Sequence, residues 1–99
     1  MIVHVQALHF DADNKLVEYV TSKIEKLQQF HDRIIKVDVF LILDNVVHTI
    51  KDKTAEIRVH VPKGDLFVKA TSKSFEASFD EALEAVIQQI KKKKEKQAA

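Results

Sequence analysis

The most regular pattern in the chain lies in its last third. There Phe75, Phe79, Ala82, Leu83, Val86, Ile87 and Ile90 recur at steps of three and four, the spacing that gathers side chains on one face of an α-helix. It predicts a helix over 74–96, with the Ser74 hydroxyl as its N-terminal cap. A second stripe of the same period, Leu16, Val20, Ile24 and Leu27, widened by Val17 and Tyr19, predicts an earlier helix. That helix begins after the cap oxygens of Asp11 and Asp13 and runs to about Gln29. Elsewhere the period drops to two, the signature of half-buried strands. Val3, Val5 and Ala7 alternate with His4 and Gln6 over 2–7, and Val37, Val39, Leu41 and Leu43 with Lys36, Asp38, Phe40 and Ile42 over 34–43. Ala55, Ile57, Val59 and Val61 alternate with Glu56, Arg58 and His60 over 54–61, and Leu66, Val68 and Ala70 with Phe67, Lys69 and Thr71 over 66–71. Residues 44–53 hold no clean period and read as a long hairpin connection. Pro62-Lys63-Gly64-Asp65 reads as a tight turn, with Gly64 supplying the permissive backbone.

The predicted order is β-α-β-β-β-α. Two one-faced helices and four alternating strands bury their apolar sides most simply when both helices lie on one face of a single sheet. The expected fold class is therefore α+β, a two-layer sandwich. The opposite face of the sheet is left to water, carrying His4, Gln6, Lys36, Asp38, Arg58, His60, Phe67 and Lys69. With 99 residues, one glycine and one proline, there is room for one core and little flexible linker. A single domain over 1–96 is expected, followed by a disordered tail at 97–99.

Charge changes the picture more than composition does. The formal net charge is only +1, yet Lys91, Lys92, Lys93, Lys94 and Lys96 crowd the end of the last helix, while Glu76, Asp80, Glu81 and Glu84 occupy its first half. Acids first and bases last complement the helix dipole, and two or three lysines would suffice for that. Five in six residues repel one another. They leave two readings open, a solvated, fraying end or a patch that meets a polyanion such as a phosphate backbone.

Most catalytic chemistry finds no support. A phosphate-cradling loop needs several glycines and the chain has one. There is no cysteine, so disulfides, thiolate nucleophiles and thiolate metal sites are excluded. Ser22, Ser72, Ser74 and Ser78 sit in helix or capping contexts without a nucleophile elbow. The histidines His4, His9, His31, His48 and His60 fall on different elements with no i, i+4 pair, although His4 and His60 would meet on the open face if their strands were neighbours. Asp80 and Glu84 share a helix face with lysines and read as solvated ion pairs. No enzyme activity, metal or cofactor is expected. With no apolar run of membrane-spanning length and polar residues soon after Met1, no membrane partner is expected and the default location is the cytoplasm.

At the junction of the first helix and the second strand, Lys23-Ile24-Glu25-Lys26-Leu27-Gln28-Gln29-Phe30-His31-Asp32-Arg33-Ile34 resembles the corresponding segment of bacterial ribosome hibernation-promoting factors. That family's pattern there is close to K-x-x-K-L-x-x-[YF]-x-D-x-I. Val47-His48-Thr49, the rhythm around Glu56-Ile57, Pro62-Lys63-Gly64-Asp65-Leu66 and the lysine-rich last helix extend the resemblance over nearly the whole chain. It implies a non-enzymatic factor of the short form. Such a factor binds small-subunit ribosomal RNA in the messenger and transfer RNA channel, blocks translation by occupancy and protects idle ribosomes. Any ribosome dimerisation would need another factor. Carried over by position, Lys23, Lys26 and Arg33 match basic residues of the first helix and its exit, and Lys92 and Lys94 match basic positions at the end of the last helix. Lys91 joins them as a neighbouring candidate for RNA binding. The chain departs from the family where it has Ser74-Phe75-Glu76 in place of an acidic-Met-Tyr run, and Ala85 and Gln88 where a Lys and an Arg are usual.

The competing expectation is a protein-interaction or homodimer module that uses Phe40, Ile42 and Phe67 on the open sheet face.

Overall fold

The computed structural model describes residues 1–44 and 53–98, with side chains as far as Lys93. The Val47-His48-Thr49 stretch, most of the predicted connection at 44–53 and the Lys94 side chain lie outside the described residues. In chain order the elements are β1 (Ile2–Leu8), α1 (Asn14–Glu25), a 3-10 turn (Lys26–Gln29), β2 (Lys36–Leu43), β3 (Lys53–Val61), β4 (Gly64–Ser72) and α2 (Phe75–Ala98). The predicted plan is present, in the α+β class.

Strand order in the sheet follows the chain, β1-β2-β3-β4. β1 and β2 run parallel, with Val3 opposite Val37 and Val5 opposite Val39; α1 supplies the crossover that a parallel pair requires. The β2-β3 and β3-β4 pairs are antiparallel. Because inward positions fall opposite inward positions in every pair, Val37, Val39, Leu41, Ala55, Ile57, Val59 and Val68 make one apolar floor. Leu16, Val20, Ile24 and Leu27 from the first helical segment, and Phe75, Phe79, Ala82, Val86 and Ile90 from α2, close over it. Each large apolar side chain taken fully from water contributes about 1.5–3 kcal/mol. Burying both apolar stripes is therefore what fixes the helices on this face.

Local chemistry sets the element ends. The Asp13 carboxylate accepts the Leu16 backbone N–H at 2.8 Å, and the Ser74 hydroxyl accepts the Ala77 N–H at 3.1 Å, each satisfying a donor left over at a helix start. Residues 26–29 tighten into a 3-10 turn rather than continuing as α-helix to Gln29. This adjustment still buries Leu27 completely. The second strand begins at Lys36 rather than Ile34, because the alternation breaks there: Ile34 is buried and Ile35 is 56% exposed. Two residues, Pro62 and Lys63, turn β3 into β4, and Val61 pairs directly with Gly64. Gly64 has φ +129°, a backbone conformation open to glycine and strained for other residues.

Candidate nucleic-acid interface

The sequence candidates divide into two neighbouring groups. Lys23 and Lys26 line a groove between the end of the first helical segment and α2, floored by Leu27, Phe30, Leu83 and Ile87 and enclosing about 280 Å³. The Lys91 ammonium lies 5.6 Å from the centre of the Phe30 ring, a cation-π contact that ties the end of α2 to the 3-10 turn. Lys91, 65 residues beyond Lys26 in sequence, thus reaches a ring that lines the same groove as Lys26. Lys26, Lys91 and Lys92 are exposed. Arg33 lies apart from this groove, on a second concavity lined also by His31, Asp32, Lys63 and Lys93.

Lys23 is differently placed from the others. Its ammonium donates to the Tyr19 hydroxyl at 2.8 Å and to Asp80 Oδ1 at 3.0 Å. The Tyr19 hydroxyl in turn reaches both Asp80 carboxylate oxygens at 2.8 Å. The hydrogen bond to Tyr19, then that to Asp80, raises the Lys23 ammonium above its ordinary value. The group stays charged, but the charge is balanced inside a network that joins α1 to α2. Lys26, Lys91 and Lys92 have no carboxylate within salt-bridge distance among the described residues, so their charge faces outward.

At the two positions where the sequence departs from the resembled pattern, Ala85 is exposed and Gln88 donates to Glu84 Oε1 at 3.1 Å. Neither contributes a cation to α2. Lys63 and Lys93 were absent from the sequence-derived site. Lys93 had a signal, as one of the terminal lysines, whereas Lys63 in a tight turn had none until the fold brought that turn beside α2.

The open sheet face is a polar network with two aromatic rings. Phe40 and Phe67 are both there, and the Arg58 guanidinium lies 5.6 and 5.3 Å from their centroids. His60 sits between two carboxylates, with Nε2 3.1 Å from Asp38 Oδ2 and Nδ1 3.1 Å from Asp65 Oδ2. The condition for His4 and His60 to meet is not fulfilled, because β2 lies between their strands and places Asp38 opposite His4. Among the described residues, no group of three or more His, Asp and Glu side chains could hold a metal ion, and no helix is long and apolar enough to cross a membrane.

The fold is thus a small α+β sandwich that concentrates outward-facing ammonium groups where two helices end, beside a shallow groove. Residues 3–98 match the family described as Sigma 54 modulation protein / S30EA ribosomal protein; the chain belongs to this family. It is 29% identical over 96 residues to the ribosome hibernation promoting factor of Escherichia coli K12, covering 97% of this chain and 96% of that protein. The protein of the same name from Klebsiella oxytoca is 30% identical over 79 residues, covering 80% of this chain and 78% of that protein. Among solved structures, the N-terminal domain of Thermus thermophilus Protein Y superposes with TM-score 0.78 at 24% identity, covering 93% of this chain and 98% of that one. A ribosomal subunit interface protein from Coxiella burnetii gives 0.82 at 19% identity, covering 95% and 98%. At these identities the two structures establish the shared fold.

Proposed function

We propose that this protein is a ribosome hibernation factor that binds small-subunit ribosomal RNA in the channel used by messenger and transfer RNA. It inhibits translation by occupying that channel and protects the idle ribosome; it performs no catalysis and acts in the cytoplasm. The observation that carries this reading is the family match over residues 3–98, with relatives named ribosome hibernation promoting factor aligned over nearly their whole length. The interface geometry supports it. Lys26, Lys91 and Lys92 stand on helix ends brought together by packing, an arrangement that suits several phosphates of a folded RNA at once, while Lys23 reaches such a phosphate only by leaving Asp80. Such contacts release counterions, so the binding is salt-dependent. Recognition through the backbone and the shape of the RNA follows from cations distributed over a surface without a base-reading aromatic pair beside them.

The test is co-sedimentation with ribosomes at low and raised salt, with and without messenger and transfer RNA bound beforehand. The protein is expected to pellet with the small subunit at low salt, to be released as salt rises, and to be excluded by the bound RNAs. Reversing Lys26, Lys91 and Lys92 together to Glu should abolish pelleting; retention of that variant would put the contact surface elsewhere.

A further inference from the structure

The concavity beside Arg33 is built differently from the groove between the helices. It encloses about 300 Å³ where three separate elements meet: the turn after the first helical segment, the tip of the β3-β4 hairpin, and α2. Each element brings a cation, Arg33, Lys63 and Lys93, and the lining holds a single carboxylate, Asp32. The His31 ring accepts the Arg33 backbone N–H on Nδ1 at 3.0 Å, which fixes the turn that presents Arg33. The Lys93 ammonium leans on the Gly64 carbonyl at 3.4 Å, an approach that orients the charge without cancelling it.

Elsewhere the fold neutralises several of its cations. Lys23 pairs with Asp80, Lys36 with Asp38 and Lys69 with Glu56. None of Arg33, Lys63 and Lys93 has a carboxylate within salt-bridge distance among the described residues. Three like charges gathered around one recess repel one another until an anion enters. A guanidinium and two ammonium groups are the donors that hold a phosphate, the first through its planar fork and the others as point charges. The recess is of the order of the smallest ligand sites, about 300 Å³.

We infer that Arg33, Lys63 and Lys93 form a phosphate-binding cradle, a second anion subsite separate from the groove bordered by Lys26. A bound RNA strand would be its source of phosphate, so the contact surface would continue from the helix ends to the hairpin tip; for that partner the inference rests on the ribosome-binding reading. Asp32 opposes the site and tunes it.

The chemistry is tested without ribosomes, by nuclear magnetic resonance of the nitrogen-15-labelled full chain at constant ionic strength. The probes are hexauridylate RNA and, separately, inorganic phosphate. The expected result is a saturable shift of the Arg33, Lys63, Gly64 and Lys93 amide signals. It should vanish in the Lys63→Ala, Lys93→Ala double variant while the rest of its spectrum stays in place, and Asp32→Asn should tighten binding a few-fold. Response to RNA assigns the cradle to a nucleic-acid strand, and response to inorganic phosphate alone assigns it to a free phosphate. Absence of both responses, or a shift that survives in the double variant, overturns the cradle. Ribosome binding by the same variant separates the two readings. If wild-type protein pellets, the variant's plot of log affinity against log salt should flatten by about 0.7–0.9 for each phosphate that is no longer neutralised, and an unchanged slope overturns ribosomal RNA as the cradle's source of phosphate. If wild-type protein never pellets but the RNA shifts occur, the ribosome reading fails and the cradle stands.

Discussion

Lys23 shows how far a residue's chemistry can depart from its position in a motif. By spacing it belongs with Lys26 on the wet side of the first helix. In the fold its ammonium is held by Tyr19 and Asp80, and those two partners raise it above the ordinary lysine value of 10.5. A raised value means that the folded state holds this proton more tightly than the unfolded chain does. The network's contribution to stability is therefore complete below 10.5 and disappears as pH rises through the higher folded value. Replacing Tyr19 with Phe removes the largest cause, so the Lys23 titration should fall back toward 10.5, read from its side-chain signal by nuclear magnetic resonance. An unmoved titration would mean that Asp80 alone sustains the shift.

At the scale of elements, the β3-β4 hairpin is a tightly constrained connection. Two residues make the turn, and Gly64 follows at φ +129°, where any Cβ is strained. A Cβ there would meet the Lys93 ammonium at 3.8 Å, an ordinary van der Waals separation, so the cost is conformational and not steric crowding. Gly64→Ala should destabilise the protein by about 1–3 kcal/mol. For a domain of this size that is a fall in melting temperature of roughly 4–8 °C per kcal/mol, measurable by thermal unfolding. A variant as stable as the parent would show that the turn relaxes to another geometry. This element was legible from Pro62 and Gly64, since both shape the backbone in ways that need no distant partner. The strand start at Lys36 was not, because burial of Ile34 with Ile35 exposed breaks the alternation; nor was the end of α1 at Glu25, since the 3-10 turn that follows keeps Leu27 as buried as a continued helix would.

For the whole molecule the decisive quantity is the charge that the assembled surface offers. Ala85 and Gln88 lie on α2 without contributing a cation, and Ala85 is exposed while the Gln88 side chain donates to Glu84 on the same helix. Substituting Ala85→Lys and Gln88→Arg should leave the core intact, tighten ribosome binding at low salt, and steepen its salt dependence by about 0.7–0.9 for each phosphate newly neutralised. Co-sedimentation across a salt series measures both. No gain would mean that this side of α2 does not face RNA.

The alternation of Val37, Val39 and Leu41, the matching run from Ala55 to Val61 and the stripe from Phe75 to Ile90 determined by themselves that there would be strands and helices with one apolar side each. A period of two or of three to four places side chains whatever the rest of the chain does. The caps at Asp13 and Ser74 are local in the same sense, since each oxygen reaches a donor three residues on. Only the tertiary structure decided which strands are neighbours, and so that His60 meets Asp38 and Asp65 and not His4. It likewise decided that Lys23 is balanced by Asp80, and that Arg33, Lys63 and Lys93 line one recess. Those outcomes depend on distances between residues remote in sequence, and packing two helices onto one sheet sets those distances while the period of any single element does not.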